Sequence, residues 1–328
     1  MITLAEAKVG MADKVDQQVV DEFRRDSFLL DRLVFDDAVS PGTGGSTLTY
    51  GYVQLITPST AARRDLNTEY VNNEAKRKKL TADLDIFGGS FKIDRVLQET
   101  SGAINEIEFQ LKQKVKAASN LFHYLVVNGA TTNTAGYTQC KFDGIRKLLA
   151  GASTEVSAET IDLTTVENID KYMFSLALMV NKWLQKMADK PDMLLMNGDM
   201  LAVMQYIGQT MGYYDRTKDD FGREVTTYRG IPMVDAGKYY DGTKEVDCVA
   251  TDDAAGTSAI IGLKIGLDAF HGISPKESSA IIKTFLPDLN APGAVKTGEA
   301  ELVAGVVLKN TKMAGMLKDI KIQPVAGA

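Results

Sequence analysis

The sequence predicts an α+β fold. Three stretches carry that expectation: a long amphipathic helix over 101–128, a strand-rich excursion before it, and a helix–strand–helix unit followed by a run of strands. The helix organises the rest. Ile104, Ile107, Leu111, Val115, Ala118, Phe122 and Leu125 recur every three or four residues and lay one stripe along an α-helix. Glu106, Gln110, Lys112, Gln113 and Lys116 take the other face, so the rod is half buried. Asn105 with Glu108 forms a candidate capping box, Ser101 is an alternative N-cap, and Gly129 is the stop. At about 1.5 Å per residue the rod is about 40 Å long, against a mean of about 11–12 residues for helices in globular proteins.

Composition narrows the function. The chain has 328 residues, 45% apolar and 24% charged, long enough for two domains and a sizeable core. A net charge of −6 argues against binding nucleic acid through the whole surface. Cys140 and Cys248 lie far apart in no metal-like spacing and read as two partly buried free thiols, which suits a reducing compartment. There is no apolar run of about 18 residues, so no membrane span is expected. The N-terminus lacks the basic start and apolar core of a secretory signal. Synthesis and folding in cytoplasm follow as an expectation.

The chain opens with a polar arm over 1–40. A short helix is predicted from Asp13 to Arg25, with Val15, Val19 and Phe23 on one face. Alone it cannot bury that face, so these three residues are candidates for contact with the body or another subunit. PGTGGS (41–46) is a break. Thr47–Ile56 is rich in β-formers, about two dozen polar residues follow, and Leu80–Ile93 is strand-like again. There Leu80, Ala82, Leu84 and Ile86 alternate with Thr81, Asp83 and Asp85. The pattern predicts a long hairpin over 41–93 with a polar tip. A lone two-stranded ribbon is marginal in water, so it asks for a partner surface.

After the long helix, Phe142–Ala150 reads as a short helix or turn. A second long helix is predicted over Thr165–Met187, a buried strand over Asp192–Met196, and a further helix capped by Asn197. A Gly- and charge-rich loop follows, then strands at Val225–Val234 (broken by Gly230 and Pro232), Val246–Ala250, Ser258–Leu263 and Ala269–Ile273, and three more in the tail. The predicted organisation is an arm (1–40), an extended loop (41–93), a body with the long helix (94–152), an α/β unit (153–257) and return strands completing that body (258–328).

The motifs of catalysis are missing. His123 and His271 are the only histidines and have no metal-ligand spacing; each reads as structural. No phosphate-cradling GxxxxGK[ST] or GxGxxG occurs in context, and GTSAI lacks the glycine of a nucleophile elbow. The pairs Asp83/Asp85, Asp219/Asp220 and Asp252/Asp253 read as solvated charge. No catalytic residue, cofactor or metal is assigned. The densest positive cluster is Lys76, Arg77, Lys78 and Lys79, with Arg63 and Arg64 across the loop. It lacks the aromatic interleaving of a nucleic-acid site and fits a basic tip that meets an acidic surface on a neighbouring copy.

The order of elements resembles the major capsid protein of tailed double-stranded DNA bacteriophages, the Hong Kong ninety-seven type fold. ADKVDQQVVDEFRRDSFLLDRLVFD resembles that family's N-terminal arm, 47–93 its extended loop, and 101–129 its spine helix with the terminating glycine. FDGI (142–145) resembles the turn after the spine. KPDMLLMNGDMLAVMQ and REVTTYRGIPMVDAG resemble the axial domain; AIIGLKIGLDAF and VAGVVLKNTKMAGMLKDI resemble strands completing the peripheral domain. The weight lies in order and spacing, since no single motif is specific.

The resemblance implies a structural subunit, not an enzyme, that self-assembles into pentamers and hexamers of an icosahedral virion shell around double-stranded DNA, without sequence-specific binding and without a membrane. Assembly would take place in the host bacterial cytoplasm. Implied partners are a portal protein and, in some members, decoration proteins. The arm starts near Met1, so a separate scaffolding protein is expected in place of a cleavable N-terminal segment, or none. An encapsulin-type nanocompartment shell and a cytoplasmic α+β enzyme are the alternatives.

Overall fold

The computed structural model describes residues 28–39, 48–96, 106–212, 215–218, 224–252, 255–275 and 282–324. The predicted helix with Val15, Val19 and Phe23, the candidate caps Ser101 and Asn105, and Asp219/Asp220 lie outside these residues.

In chain order, α1 (Phe28–Arg32) leads into β1 (Phe35–Val39), and β2 (Thr49–Thr57) pairs with β3 (Lys76–Asp83). Then come β4 (Asp85–Asp94), the long helix α2 (Glu106–Asn128), the two-residue strands β5 (Gly129–Ala130) and β6 (Thr138–Gln139), and α3 (Ile145–Leu149). β7 (Glu155–Ser157), α4 (Val166–Leu184), β8 (Met193–Met196) and α5 (Gly198–Thr210) follow. Next are β9 (Asp215–Lys218), β10 (Glu224–Tyr228), β11 (Ile231–Asp235), β12 (Lys238–Tyr240) and β13 (Glu245–Asp247). The chain closes with β14 (Thr257–Leu263), β15 (Phe270–Pro275), β16 (Ile282–Phe285), β17 (Val295–Leu308) and β18 (Ala314–Lys321).

Two sheets result. In the first, β17 is the hub: it pairs antiparallel with β4, β15 and β16, and β1 lies parallel on β15. The side chains of β17 alternate. Ala300, Leu302, Ala304 and Val306 point to one core with Phe87 and Phe91 of β4, and α2 covers them with Leu111, Val115, Ala118 and Phe122. The stripe that defines α2 in the sequence is thus the face laid on β4 and β17. The second sheet has seven strands in the order β7-β18-β14-β8-β11-β10-β9. α4 and α5 pack on it through Leu176, Val180, Trp183, Met200 and Met204. Thr165 caps α4 by accepting from Asn168 N at 3.2 Å, and Asn197 caps α5 by accepting from Met200 N at 2.9 Å.

Four expectations need correction. Leu80–Ile93 is two strands. Leu84 is fully buried and donates its N–H to Leu48 O at 2.7 Å, which turns the chain out of the hairpin and into the first sheet. The parity flips there: Leu80 and Ala82 point toward the protein on β3, whereas on β4 it is Phe87, Phe91 and Ile93, with Ile86 half exposed. Second, the strands after residue 258 do not all return to the sheet under α2. β14 and β18 pair in the second sheet, as befits strands buried on both faces: Ile260, Ile261 and Leu263 lie opposite Leu317, Met316 and Ala314. Third, the charge-rich loop contains β9, paired with β10. Fourth, the strand predicted at Val246–Ala250 is β13, ending at Asp247 in a small hairpin with β12 whose Tyr239 stacks on Tyr124 of α2 at 5.0 Å.

Gly144 explains the FDGI turn. Its N–H donates to Gly129 O at 2.9 Å, and a Cβ there would stand 2.7–2.9 Å from Leu125 O, Gly129 N and Val126 O at the end of α2. These are backbone atoms that cannot swing aside. Gly144→Ala is expected to destabilise the subunit by about 1–3 kcal/mol, read as a lower urea midpoint; an unchanged midpoint would show that the turn gives way.

His123 is buried in α2, and its Nε2 has no hydrogen-bond partner. Burial pushes its imidazole down to about 4. The folded subunit therefore holds it neutral, while the unfolded chain takes up a proton near pH 6.5. Its contribution is complete above about pH 6.5 and is lost as pH falls toward about 4, up to about 3 kcal/mol. Urea unfolding of the unassembled subunit at pH 7 and pH 4.5 should show this slope, and His123→Leu should flatten it; parallel slopes would contradict the assignment.

Candidate assembly surface

The hairpin β2–β3 stands clear of the body. In its register Tyr50, Tyr52 and Gln54 lie opposite Ala82, Leu80 and Lys78 on one face; Gly51, Val53 and Leu55 lie opposite Thr81, Lys79 and Arg77 on the other. The first face anchors the hairpin. Tyr50 packs with Leu84, Ile273 and Val307, and its hydroxyl donates to Asp36 Oδ2 at 2.9 Å. Its ring meets His271 edge-on at 5.9 Å and lies under Lys309 Nζ at 5.6 Å. Thr49 Oγ1 donates to Asp83 Oδ1 at 2.6 Å, and Gln54 Nε2 to Lys309 O at 3.2 Å. Burial, then the carboxylate of Asp36, keeps the Tyr50 phenol above its usual range, against the pull of Lys309. Burial also lowers His271, with Lys309 adding to the effect.

Beyond Gln54, whose side chain reaches Lys309 O, nothing of the described chain covers the hairpin. Val53 is 63% exposed and Leu55 59%, and Ile56, Leu66, Tyr70 and Val71 are exposed as well. The tip between β2 and β3 is held by its own bonds: Arg64 Nη1 donates to Thr68 O at 3.1 Å and lies over the Tyr70 ring at 5.2 Å, and Asn67 adopts φ +67°. The Arg63–Asp65 pair at 4.0 Å is solvent-exposed and adds little.

The predicted basic cluster is therefore divided. Arg63 and Arg64 sit in the tip, while Lys76, Arg77, Lys78 and Lys79 form the exposed end of β3. Strand parity puts Arg77 and Lys79 on the free face and Lys76 and Lys78 on the other. The exposed aliphatics Val53 and Leu55 on the same free face escaped the sequence reading. The signal was their alternation with Tyr52 and Gln54, which assigns them a common side.

Elsewhere the titratable groups are accounted for structurally. Burial pushes the Cys248 thiol up to about 12, with Asp247 and Asp235 adding to the effect, and Cys140 is raised by burial too. Asp83 accepts from Thr49, and Asp85 from Lys141 N at 3.1 Å. Among the described residues no three His, Cys, Asp or Glu side chains cluster as metal ligands would, and no helix is long and apolar enough to cross a membrane.

No family model matches the sequence, and no curated protein matches it significantly. Solved structures do. The SrpI encapsulin of Synechococcus elongatus PCC 7942 aligns with TM-score 0.60 and 13% identity over 98% of this chain and 95% of its own. The capsid of Myoviridae phage XM1 aligns with TM-score 0.54 and 10% identity over 95% of each chain. The capsid of a native GTA particle aligns with TM-score 0.54 and 9% identity, over 96% of this chain and 93% of its own. At such identities the likeness concerns architecture, and it covers nearly the whole of this chain. The chain has the Hong Kong ninety-seven type capsid fold.

Proposed function

We propose that this chain is a structural subunit that assembles with copies of itself into five- and six-membered rings closing an icosahedral shell. The observation that carries this reading is the hairpin beyond Tyr52, whose exposed aliphatic and basic face has no cover among the described residues. The second sheet and its helices would crowd the ring axes. The first sheet and α2 would form the wall, and the hairpin would lie over the adjacent subunit. Each contact can be weak, because many linked contacts add by avidity. The arm over 1–40, with Val15, Val19 and Phe23, is proposed to reach another copy.

In the finer reading the shell is a phage head holding double-stranded DNA in a virion, assembled in the host bacterial cytoplasm with a portal protein, a separate scaffolding protein and, in some shells, decoration proteins. A wall of net charge −6 suits a container whose DNA is driven in and not held tightly. The likeness to the SrpI encapsulin favours a second reading, a protein nanocompartment. Sedimentation velocity of the purified full chain tests the shell reading: rings or megadalton particles are expected, and a monomer or small oligomer would point to the α+β enzyme alternative instead. Particles isolated from the native source separate the two cargoes. Nuclease-protected double-stranded DNA supports the head, and enclosed protein without DNA supports the nanocompartment.

A further inference from the structure

A cleft of about 480 Å³ opens where α3 and the turn before β6 meet β14 and β18 of the second sheet. Its floor is apolar, with Val249 and Met316 both buried. Its walls carry five charged side chains: Arg146 and Lys318 against Glu155, Asp252 and Asp319. Two of these neutralise each other in place. Lys318 Nζ stands 2.9 Å from Glu155 Oε1, and Glu155 Oε2 also accepts from Gly151 N at 2.7 Å. Arg146 and Asp319 are both half-buried, and among the described residues neither forms an ion pair. One cleft thus holds a cation and an anion that are each left without a charged partner.

Arg146 is positioned by neutral groups. Its Nη1 donates to Asn128 Oδ1 at 2.7 Å, and Asn128, itself buried, donates through Nδ2 to Cys248 O at 2.7 Å. The guanidinium carbon lies 5.3 Å from the centroid of the Tyr137 ring. A guanidinium has five N–H donors, so the bond to Asn128 leaves a planar fork of the kind that grips a carboxylate. Asp319 is turned toward the cleft by an irregularity in the ladder. Ser258 pairs with Ile320 and Ile260 with Leu317, so two residues of β18, Lys318 and Asp319, stand opposite the single Ala259. Leu317 and Ile320 both face the core under α4 and α5 although they are three apart, so Lys318 and Asp319 share the opposite face with Met316. The bulge puts Asp319 at φ +64°, a conformation that Asp and Asn tolerate better than other side chains.

We propose that this cleft binds a small zwitterion, an amino acid with a short apolar chain: its carboxylate on the fork of Arg146, its ammonium on Asp319, and its chain over Met316 and Val249. Phosphate fits worse. Two cations against three carboxylates leave the walls at −1, which repels a dianion. A plain carboxylate or a plain amine satisfies one of the two unpaired groups and leaves the other half-buried without a partner. A bound zwitterion would touch α3 on one side and β18 on the other. It would therefore brace the second sheet against the body under α2, whatever the copies of this chain assemble into.

Isothermal titration calorimetry of the purified full chain tests it. The probes are the linear amino acids from glycine to 6-aminohexanoate, each beside the monocarboxylate and the amine of the same chain length, and inorganic phosphate. One member of the series should bind about tenfold more tightly than its singly charged analogues, as a charge-assisted hydrogen bond on a second group provides. Phosphate should not bind. Asp319→Asn keeps a residue suited to the same backbone conformation, so the urea midpoint should be unchanged. It should cut the affinity for the best amino acid about tenfold and leave that for the monocarboxylate as it was. Arg146→Gln should weaken both. No binding anywhere in the series, a preference for phosphate, or an amino-acid affinity indifferent to Asp319→Asn would overturn the proposal.

Discussion

Replacing residues 53–79 by an Asn-Gly turn is expected to abolish closed shells while leaving a folded, soluble subunit. Tyr52 and Leu80 face each other across the ladder, so a two-residue turn can join them without changing the register. The anchoring set of Tyr50, Tyr52, Ala82 and Leu84 remains. The removed residues are exposed almost throughout, and surface changes of that kind usually fall within about 0.5 kcal/mol. The expected result is an unchanged urea midpoint together with the disappearance of particles in electron micrographs. Normal particles from this variant would refute the assembly role of the hairpin, however well the subunit folds.

The largest effect on stability is expected at Phe122. It is fully buried on the stripe of α2. Its ring centroid lies 5.5 Å from Phe87 of β4, 6.2 Å from Phe142 of the turn after the helix, and 6.4 Å from Phe35 of β1. One side chain thus joins three segments distant in sequence. Phe122→Ala should cost about 3–5 kcal/mol, against a total stability of about 5–15 kcal/mol for a typical folded domain. The loss should appear as a large drop in urea midpoint, with Phe122→Leu retaining more of it. A loss under about 1 kcal/mol would mean that the site collapses around the gap and that α2 is not the keystone of the first sheet.

The sequence was readable where one periodicity ran unbroken. Leu111, Val115, Ala118, Phe122 and Leu125 are buried on α2 as their spacing requires, because a helix of this length fixes the side on which each residue falls. Asn197 capping α5 and the break at Gly230 between β10 and β11 were local signals with local causes; the break expected at Pro232 is absent, since Pro232 lies within β11 opposite Thr227. What could not be read was set by partners far along the chain. Nothing in LTADLDIFGGSFKI says that the alternation resets at Leu84, since Leu48 and β17 supply the reason. β14 and β15 are neighbours in sequence, yet they enter different sheets; only the pairing of β14 with β8 and of β15 with β17 separates them. The basic cluster was visible as composition, but its division between the tip and the two faces of β3 depends on the register with β2. His123 shows a limit of another kind: a histidine on a helix reads alike whether the adjoining surface is water or packed sheet.

The account stands or falls on how copies of this chain meet. Its most direct test is a cryo-electron microscopy reconstruction of the particles formed by the purified full chain. It predicts closed shells built of five- and six-membered rings, with density for each hairpin lying over the adjacent subunit. Isolated subunits with hairpins projecting into solvent, or an assembly that buries some other surface and leaves the hairpin free, would contradict it.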